Sequence, residues 1–423
     1  MDGKSRLTGR SSAEDVECRD ELITEILTRV STKDLLKMST VVKRWRNLIF
    51  EPDFAHTHYK NCHQESIFIY IEQLPVPRRV VSFQFRTHKT QSGNLSRVSL
   101  SLERIDSFFF NRSTRLLASS NGLMCFCTFV TPEKILEFLV YNPVTKILKI
   151  LPLPPFIDKR SMTFPFIIGI CPLQSTGKLV IGGFSLDEDD TYTLVFDSQS
   201  DSWYKGPPVA LFYDNNKPRN SSRHTVFLNG VIYFLVRTPS IDVQEGQGSR
   251  DVDALFRDED GLFYKIIGYD VNQDQWCFSV FIPTSVSYPY CLFEWKGKLF
   301  ILASNSTHEE NLFVLAASSA QDRKRKIRYG CDEGDGHFVF WILDTEQNLW
   351  TRDRELDLSH EIHNSWEVFA SGGVVWFAKG YNSVIVYHMK TRHCSTHRLG
   401  DGPSWQKLKH IPCVAFEPTL LSF

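Results

Sequence analysis

Three aspartates are each followed, six residues later, by a tryptophan: Asp197 and Trp203, Asp270 and Trp276, Asp344 and Trp350. A carboxylate and an indole at constant spacing suit either a ligand cage or a repeated packing unit, and the regular recurrence favours packing. His393, Cys394 and His397 are metal-ligating types, but only three occur together and no fourth ligand is near, so no metal is expected. His56 and His58 have no partners at ligand spacing. Gly182-Gly183 invites a nucleotide reading, yet no G-x-G-x-x-G or G-K-[ST] follows, and strand crowding or positive φ is the better explanation. The acidic run Asp187 to Asp190 reads as a charged turn rather than a cation site. Arg323-Lys324-Arg325-Lys326, with Arg328, fits a nuclear localisation or phosphate-contact patch, or a solvated loop; Asp332, Glu333 and Asp335 favour the loop. No Ser/His/Asp set, Cys/His pair or paired carboxylate stands out, so no catalytic residue and no cofactor is assigned from the sequence.

The bulk properties narrow the field further. A net charge of −1 over 423 residues gives no field to draw the chain to nucleic acid or anionic lipid. No apolar run approaches the roughly 20 residues of a membrane span, and residues 1–17 lack the apolar core of a signal peptide. The ten cysteines form no CxxC pair; Cys125 and Cys127 would share one face of a strand as buried thiols. A reducing compartment, cytoplasm or nucleus, follows.

The elements that must position these residues fall into two kinds. Residues 1–17 are polar and expected to be disordered. Next, Leu22, Ile23, Ile26, Leu27 and Val30 recur at helical spacing behind a candidate cap, Asp20. Ser31 and Asp34 form a second capping signal ahead of Leu35, Leu36 and Met38. Val41, Val42, Trp45, Leu48 and Ile49 make a third helix, closed by Glu51-Pro52. Three helices of this size cannot bury their own apolar residues, which implies a core finished against another protein.

Beyond residue 66 the helical period gives way to short strands with frequent turn residues, which suits a sandwich, barrel or propeller. A turn followed by an apolar strand recurs at Asn121-Gly122, Gly182-Gly183, Asn229-Gly230, Lys296-Gly297 and Gly372-Gly373. It alternates with strands ending in Asn142, Asp197, Asp270, Asp344 and, more weakly, His388. Each pair marks one sheet-like unit. The spacing between units is uneven, as expected when long loops are inserted into a constant scaffold.

Residues 21–50, ELITEILTRVSTKDLLKMSTVVKRWRNLIF, resemble the F-box. The matching positions are Glu21-Leu22, Ile26-Leu27, Asp34-Leu35 and Val42-Lys43-Arg44-Trp45. The pattern's opening Leu-Pro is replaced by Cys18-Arg19, and its second-helix Pro is replaced around Ser31. The segments SSNGLMCF and VYNPVTKILKILP, with Ala415-Phe416-Glu417-Pro418-Thr419-Leu420, resemble the F-box-associated, kelch-like domains of plants. The resemblance implies a mainly β chain: a three-helix F-box over 18–57, then a kelch-like β-propeller over 58–423 with about six or seven blades. It also implies a substrate-recognition subunit of a Skp–cullin–F-box ubiquitin ligase. Leu22, Ile23, Ile26, Leu27, Leu35, Leu36, Val42 and Trp45 would meet a Skp-type adaptor, and through it a cullin, or hold the F-box core. An unidentified target would sit on the loops 155–163, 185–191, 213–223, 238–260, 304–334 and 352–363. The alternative is an interaction adaptor that acts without the cullin through a weakened F-box.

Overall fold

Ser31 starts a helix in the way its sequence predicts. Its hydroxyl accepts from the Asp34 amide at 3.2 Å and donates to the Asp34 carboxylate at 2.9 Å, which satisfies an amide that the first helical turn leaves without a partner. The helix, α2, spans Thr32–Met38, after α1 at residues 21–27 and before α3, Lys43–Ile49. A fourth helix, α4, spans Pro52–Asn61. The expected number was three, with Pro52 as a stop. Proline lacks an amide hydrogen and has a helix-compatible φ, so it fits the first position of a helix and here opens one. The expected boundary between residues 57 and 58 falls inside α4. The computed structural model describes residues 21–61, 67–73, 81–88, 95–100, 113–131, 134–154, 167–172, 177–185, 191–208, 225–239, 262–283, 289–304, 337–358, 366–371, 373–379, 383–398, 413–416 and 420.

The remaining described segments are all strands. Blade I comprises β4 (Ser113–Ser120), β5 (Leu123–Thr131), β6 (Lys134–Asn142) and β7 (Ile147–Leu151), after β1 (Ile67–Gln73), β2 (Val81–His88) and β3 (Leu95–Leu100). Blade II is β8 (Ile167–Pro172), β9 (Gly177–Ser185), β10 (Thr191–Asp197) and β11 (Ser202–Pro208). Blade III is β12 (Thr225–Leu228), β13 (Val231–Pro239), β14 (Leu262–Asp270) and β15 (Gln275–Phe281). Blade IV is β16 (Pro289–Trp295), β17 (Lys298–Ser304), β18 (His337–Asp344) and β19 (Leu349–Asp357). Blade V is β20 (Trp366–Ser371), β21 (Val374–Lys379), β22 (Ser383–His388) and β23 (His393–Arg398). One further four-stranded sheet is composite, in the order β24-β1-β2-β3, with β24 at Cys413–Phe416.

Every sheet is antiparallel, and the first strands β4, β8, β12, β16 and β20 lie against one another in sequence, with β24 between β20 and β4. The result is a closed β-propeller. Five blades are each made of four consecutive strands, the number of repeat units visible in the sequence. The composite sheet joins them, and no seventh sheet occurs among the described residues. Ring closure rests on β24 pairing with β1, Phe416 opposite Ile67 and Val414 opposite Ile69, which removes two free strand edges.

The repeat signals find physical explanations at the turns. Asn121-Gly122, Asn229-Gly230 and Lys296-Gly297 each hold two consecutive residues at positive φ, the conformation that two-residue hairpins need to match strand twist. Gly182-Gly183 does not form the turn that its place in the repeat suggests: it lies inside β9, where Gly182 pairs with Ile167.

The acidic or amide residue that ends each third strand closes the next turn. Asp270 Oδ1 accepts from the amides of Asn272 at 2.8 Å and Gln273 at 3.0 Å. Asn142 and Asp344 likewise accept from two amides in their own turns, and Asp197 Oδ1 accepts from the Gln199 amide. Four residues after each, Lys146, Asp201, Asp274 and Asn348 take positive φ and return the chain into the fourth strand. The tryptophan at the sixth position then falls opposite the residue before the aspartate, as Phe196↔Trp203, Tyr269↔Trp276 and Leu343↔Trp350.

Each of these indoles reaches back to the preceding blade. Trp203 Nε1 donates to Pro152 O at 2.6 Å, Trp276 Nε1 to Thr193 Oγ1 at 3.1 Å, and Trp350 Nε1 to Phe281 O at 2.9 Å. The constant spacing is therefore an inter-blade clamp. The cores likewise lie between blades: Phe138 and Val140 of blade I pack with Phe196 and Trp203 of blade II.

Candidate functional site

The turns within each blade sort to two ends of the ring. In an up-and-down blade, the first-to-second and third-to-fourth connections share one end, and all other connections share the opposite end. The short turns at 121–122, 143–146, 198–201, 229–230, 271–274, 296–297, 345–348 and 389–392 occupy the first end. All six of the expected target loops leave from strand ends at the opposite face. Their interiors lie outside the described residues, as does the basic run 323–328 and the acidic run 187–190. One of the six is shorter than expected, because residues 352–357 belong to β19.

The helical domain sits on the short-turn face. The Tyr59 hydroxyl of α4 donates to Asn121 Oδ1 at 2.7 Å, in the β4–β5 turn. Val144, in the β6–β7 turn, packs against the helical core, and Leu420 is buried within it. The core that was expected to be finished by another protein is thus finished in part by the propeller.

The eight residues expected to meet an adaptor divide by burial. Leu22 and Ile26, one turn apart on α1, are 60% and 62% exposed. Leu27 and Leu35 are buried with Ile49, Phe54 and Ala55 and hold the helical core itself. Ile23, Leu36 and Trp45 are partly buried against that core, and Val42 is half-buried. Val41 and Phe50, outside those eight, are also exposed, at 76% and 46%. Two exposed aliphatic side chains at i and i+4 form a ready contact stripe, since such positions are neighbours on a helix surface. Cys18, Arg19 and Asp20 lie outside the described residues.

The other sequence candidates do not converge. His393 and His397 share one face of β23, where His397 Nε2 meets Ser395 Oγ at 2.8 Å, while Cys394 points the other way toward the blade V core. Among the described residues no group of three His, Cys, Asp or Glu is placed to hold a metal. Cys125 and Cys127 are buried in one core, and burial pushes the Cys125 thiol well above its ordinary range.

His58 has a structural role in the helical domain. It is buried, stacks on Phe54, and its Nε2–H donates to Val30 O at 2.8 Å. Nδ1 is buried without a hydrogen-bond partner, and burial lowers the pKa of the ring. The folded domain therefore resists the proton that the unfolded chain accepts below about pH 6.5. Stability is full above that pH and falls as pH drops through the folded-state value. Denaturation of the full chain between about pH 7.5 and pH 5.5 is expected to show a loss that His58→Gln removes. An unchanged pH profile in His58→Gln would assign the loss elsewhere.

Comparison with known proteins places a family on the helical segment. Residues 20–57 match the F-box domain. The chain is 25% identical over 254 residues to an F-box/kelch-repeat protein of Arabidopsis thaliana, covering 58% of this chain and 57% of the relative. It is 29% identical over 233 residues to an F-box protein of the same plant, covering 51% and 58%. The match thus spans less than two thirds of the length of these curated relatives. Among solved structures, it is similar to the acylaminoacyl peptidase of Pyrococcus horikoshii, with a TM-score of 0.37 and 11% identity over 69% of this chain and 40% of that one.

Proposed function

We propose that this chain, whose residues 20–57 match the F-box domain and lead into a closed propeller, is the substrate-recognition subunit of a Skp–cullin–F-box ubiquitin ligase. The observation that carries this reading is the exposed Leu22–Ile26 stripe on a helical domain seated opposite the long connections of the propeller. The stripe meets a Skp-type adaptor, which brings a cullin. The long connections hold the target protein. The chain performs no chemistry of its own; it raises the local concentration of a target lysine near the charged ubiquitin carrier. Buried thiols outside any disulfide at Cys125, Cys171 and Cys291 support a site of action in the cytoplasm or nucleus.

Co-purification of the full chain with a Skp-type adaptor and a cullin tests the reading. The double variant Leu22→Asp, Ile26→Asp places two charges in the apolar contact. Its expected effect is a loss of adaptor affinity of at least about a hundredfold, because an uncompensated charge in a buried interface costs about 3–5 kcal/mol. Both side chains are exposed, so the fold should persist. Retention of adaptor by the double variant would overturn the assignment of the stripe. The Cys18-Arg19 departure favours a second reading, an adaptor independent of the cullin. It predicts weak adaptor binding that tightens when Leu-Pro is restored at 18–19.

A further inference from the structure

The segment that closes the propeller also enters the core of the F-box. Leu420 lies four residues beyond Phe416, the end of β24, and is 5% exposed among Leu27, Leu35, Ile49, Phe54 and Ala55. It is one of the six most buried apolar residues in that cluster, and the only one of the six from outside the helices. Two further contacts come from blade I, Val144 against the same core and the Tyr59–Asn121 hydrogen bond. The helices are short, seven residues each for α2 and α3 and ten for α4. Isolated helices of that length are marginal in water, and their stability comes from tertiary packing.

We propose that the F-box of this chain is completed in cis by the ring-closing segment, so that F-box integrity and the β1–β24 seam form one thermodynamically linked unit. Seating Leu420 in the helical core fixes the chain just beyond β24 and thereby favours its pairing with β1. The converse holds with the same coupling free energy: an open seam withdraws Leu420 and loosens the helices. An incompletely closed propeller would then present a loosened hook. This linkage stands apart from the adaptor reading, and its test needs no binding partner.

Hydrogen exchange on the full chain reads both regions at once. Leu420→Ala is expected to speed exchange of amides in 21–61 by at least about tenfold, since core leucine truncations are among the costlier substitutions. Amides of β1 and β24 should also exchange faster, while β9 and β17 keep their protection. Val414→Pro attacks the seam from the other side, removing an amide opposite Ile69, and should also speed exchange in 21–61. The proposal is overturned if Leu420→Ala leaves 21–61 within about twofold of the parent. It is equally overturned if Val414→Pro exposes β1 while the helices stay protected. Should the proline variant not fold, Leu420→Ala decides the matter alone, because Leu420 takes part in no strand pairing.

Discussion

Trp203→Ala is expected to lower the unfolding free energy by about 3–5 kcal/mol, the range for truncating a buried aromatic side chain. The indole is 7% exposed. Its ring lies 5.2 Å from Phe196 in its own blade and 5.7 Å from Phe138 in blade I. Its Nε1–H reaches across to Pro152 O at 2.6 Å. Truncation therefore opens a cavity at the boundary between two blades and removes a hydrogen bond across it. Trp203→Phe separates these effects: it keeps part of the packing and loses the bond, so its cost should be smaller. Trp350 makes the matching bond to Phe281 O, but it is only half-buried, and Trp350→Ala should cost clearly less than Trp203→Ala. Urea denaturation followed by circular dichroism gives the comparison as midpoint shifts at unchanged slope. An equal or larger loss for Trp350→Ala would mean that the clamp does not draw its strength from buried ring area.

How much of this arrangement was legible in the sequence depends on whether its cause is local. The aspartate-to-tryptophan interval was readable because a turn of fixed length generates it. The carboxylate caps the turn, the residue four further on takes positive φ, and the next strand must bring position six opposite the residue before the cap. The asparagine-glycine turns were readable for the same reason. Gly182-Gly183 misled because composition alone does not separate a turn from a strand interior; its register was decided by pairing with β8. Pro52 misled because proline both ends and begins helices, and only the apolar Phe54 and Ala55 beyond it, buried in the finished core, settle which. The division of the eight candidate contact residues was not legible at all. Leu22 and Leu27 are both apolar residues in one helical pattern, yet one faces solvent and the other the core. Which of them faces inward is set by α4 and by Leu420, about 390 residues away in the chain.

Asp274→Asn carries the second large expectation, a loss of about 2–4 kcal/mol, and its size rests on a charge pair between blades rather than on packing. Lys178 of blade II sends its ammonium to Asp274 Oδ1 and to Val271 O, both at 2.9 Å, and to the Tyr204 hydroxyl at 3.2 Å. Tyr204 donates to Asp274 at 2.7 Å and Tyr269 at 3.2 Å. Burial, reinforced by the Asp274 carboxylate, holds both phenols far above their ordinary range, so they remain donors. The Lys178 side chain is 13% exposed, whereas that of Asp274 is 37% exposed. Removing the carboxylate charge leaves an ammonium in a place where water reaches it poorly, which costs about 3–5 kcal/mol for a fully buried pair. The partial exposure of Asp274 screens the interaction and brings the expectation to the lower figure. Asparagine keeps an acceptor for the phenols and suits the positive φ of 52° at this position, so strain does not add to the loss. The charge origin then has a sharp consequence. Lys178→Met in the Asp274→Asn background removes the stranded ammonium, so the double variant should be more stable than additivity of the two single losses allows, by about 1–3 kcal/mol. Additive losses would show instead that the carboxylate acts through its hydrogen bonds to the two tyrosines, and that the ammonium contributes little to holding blades II and III together.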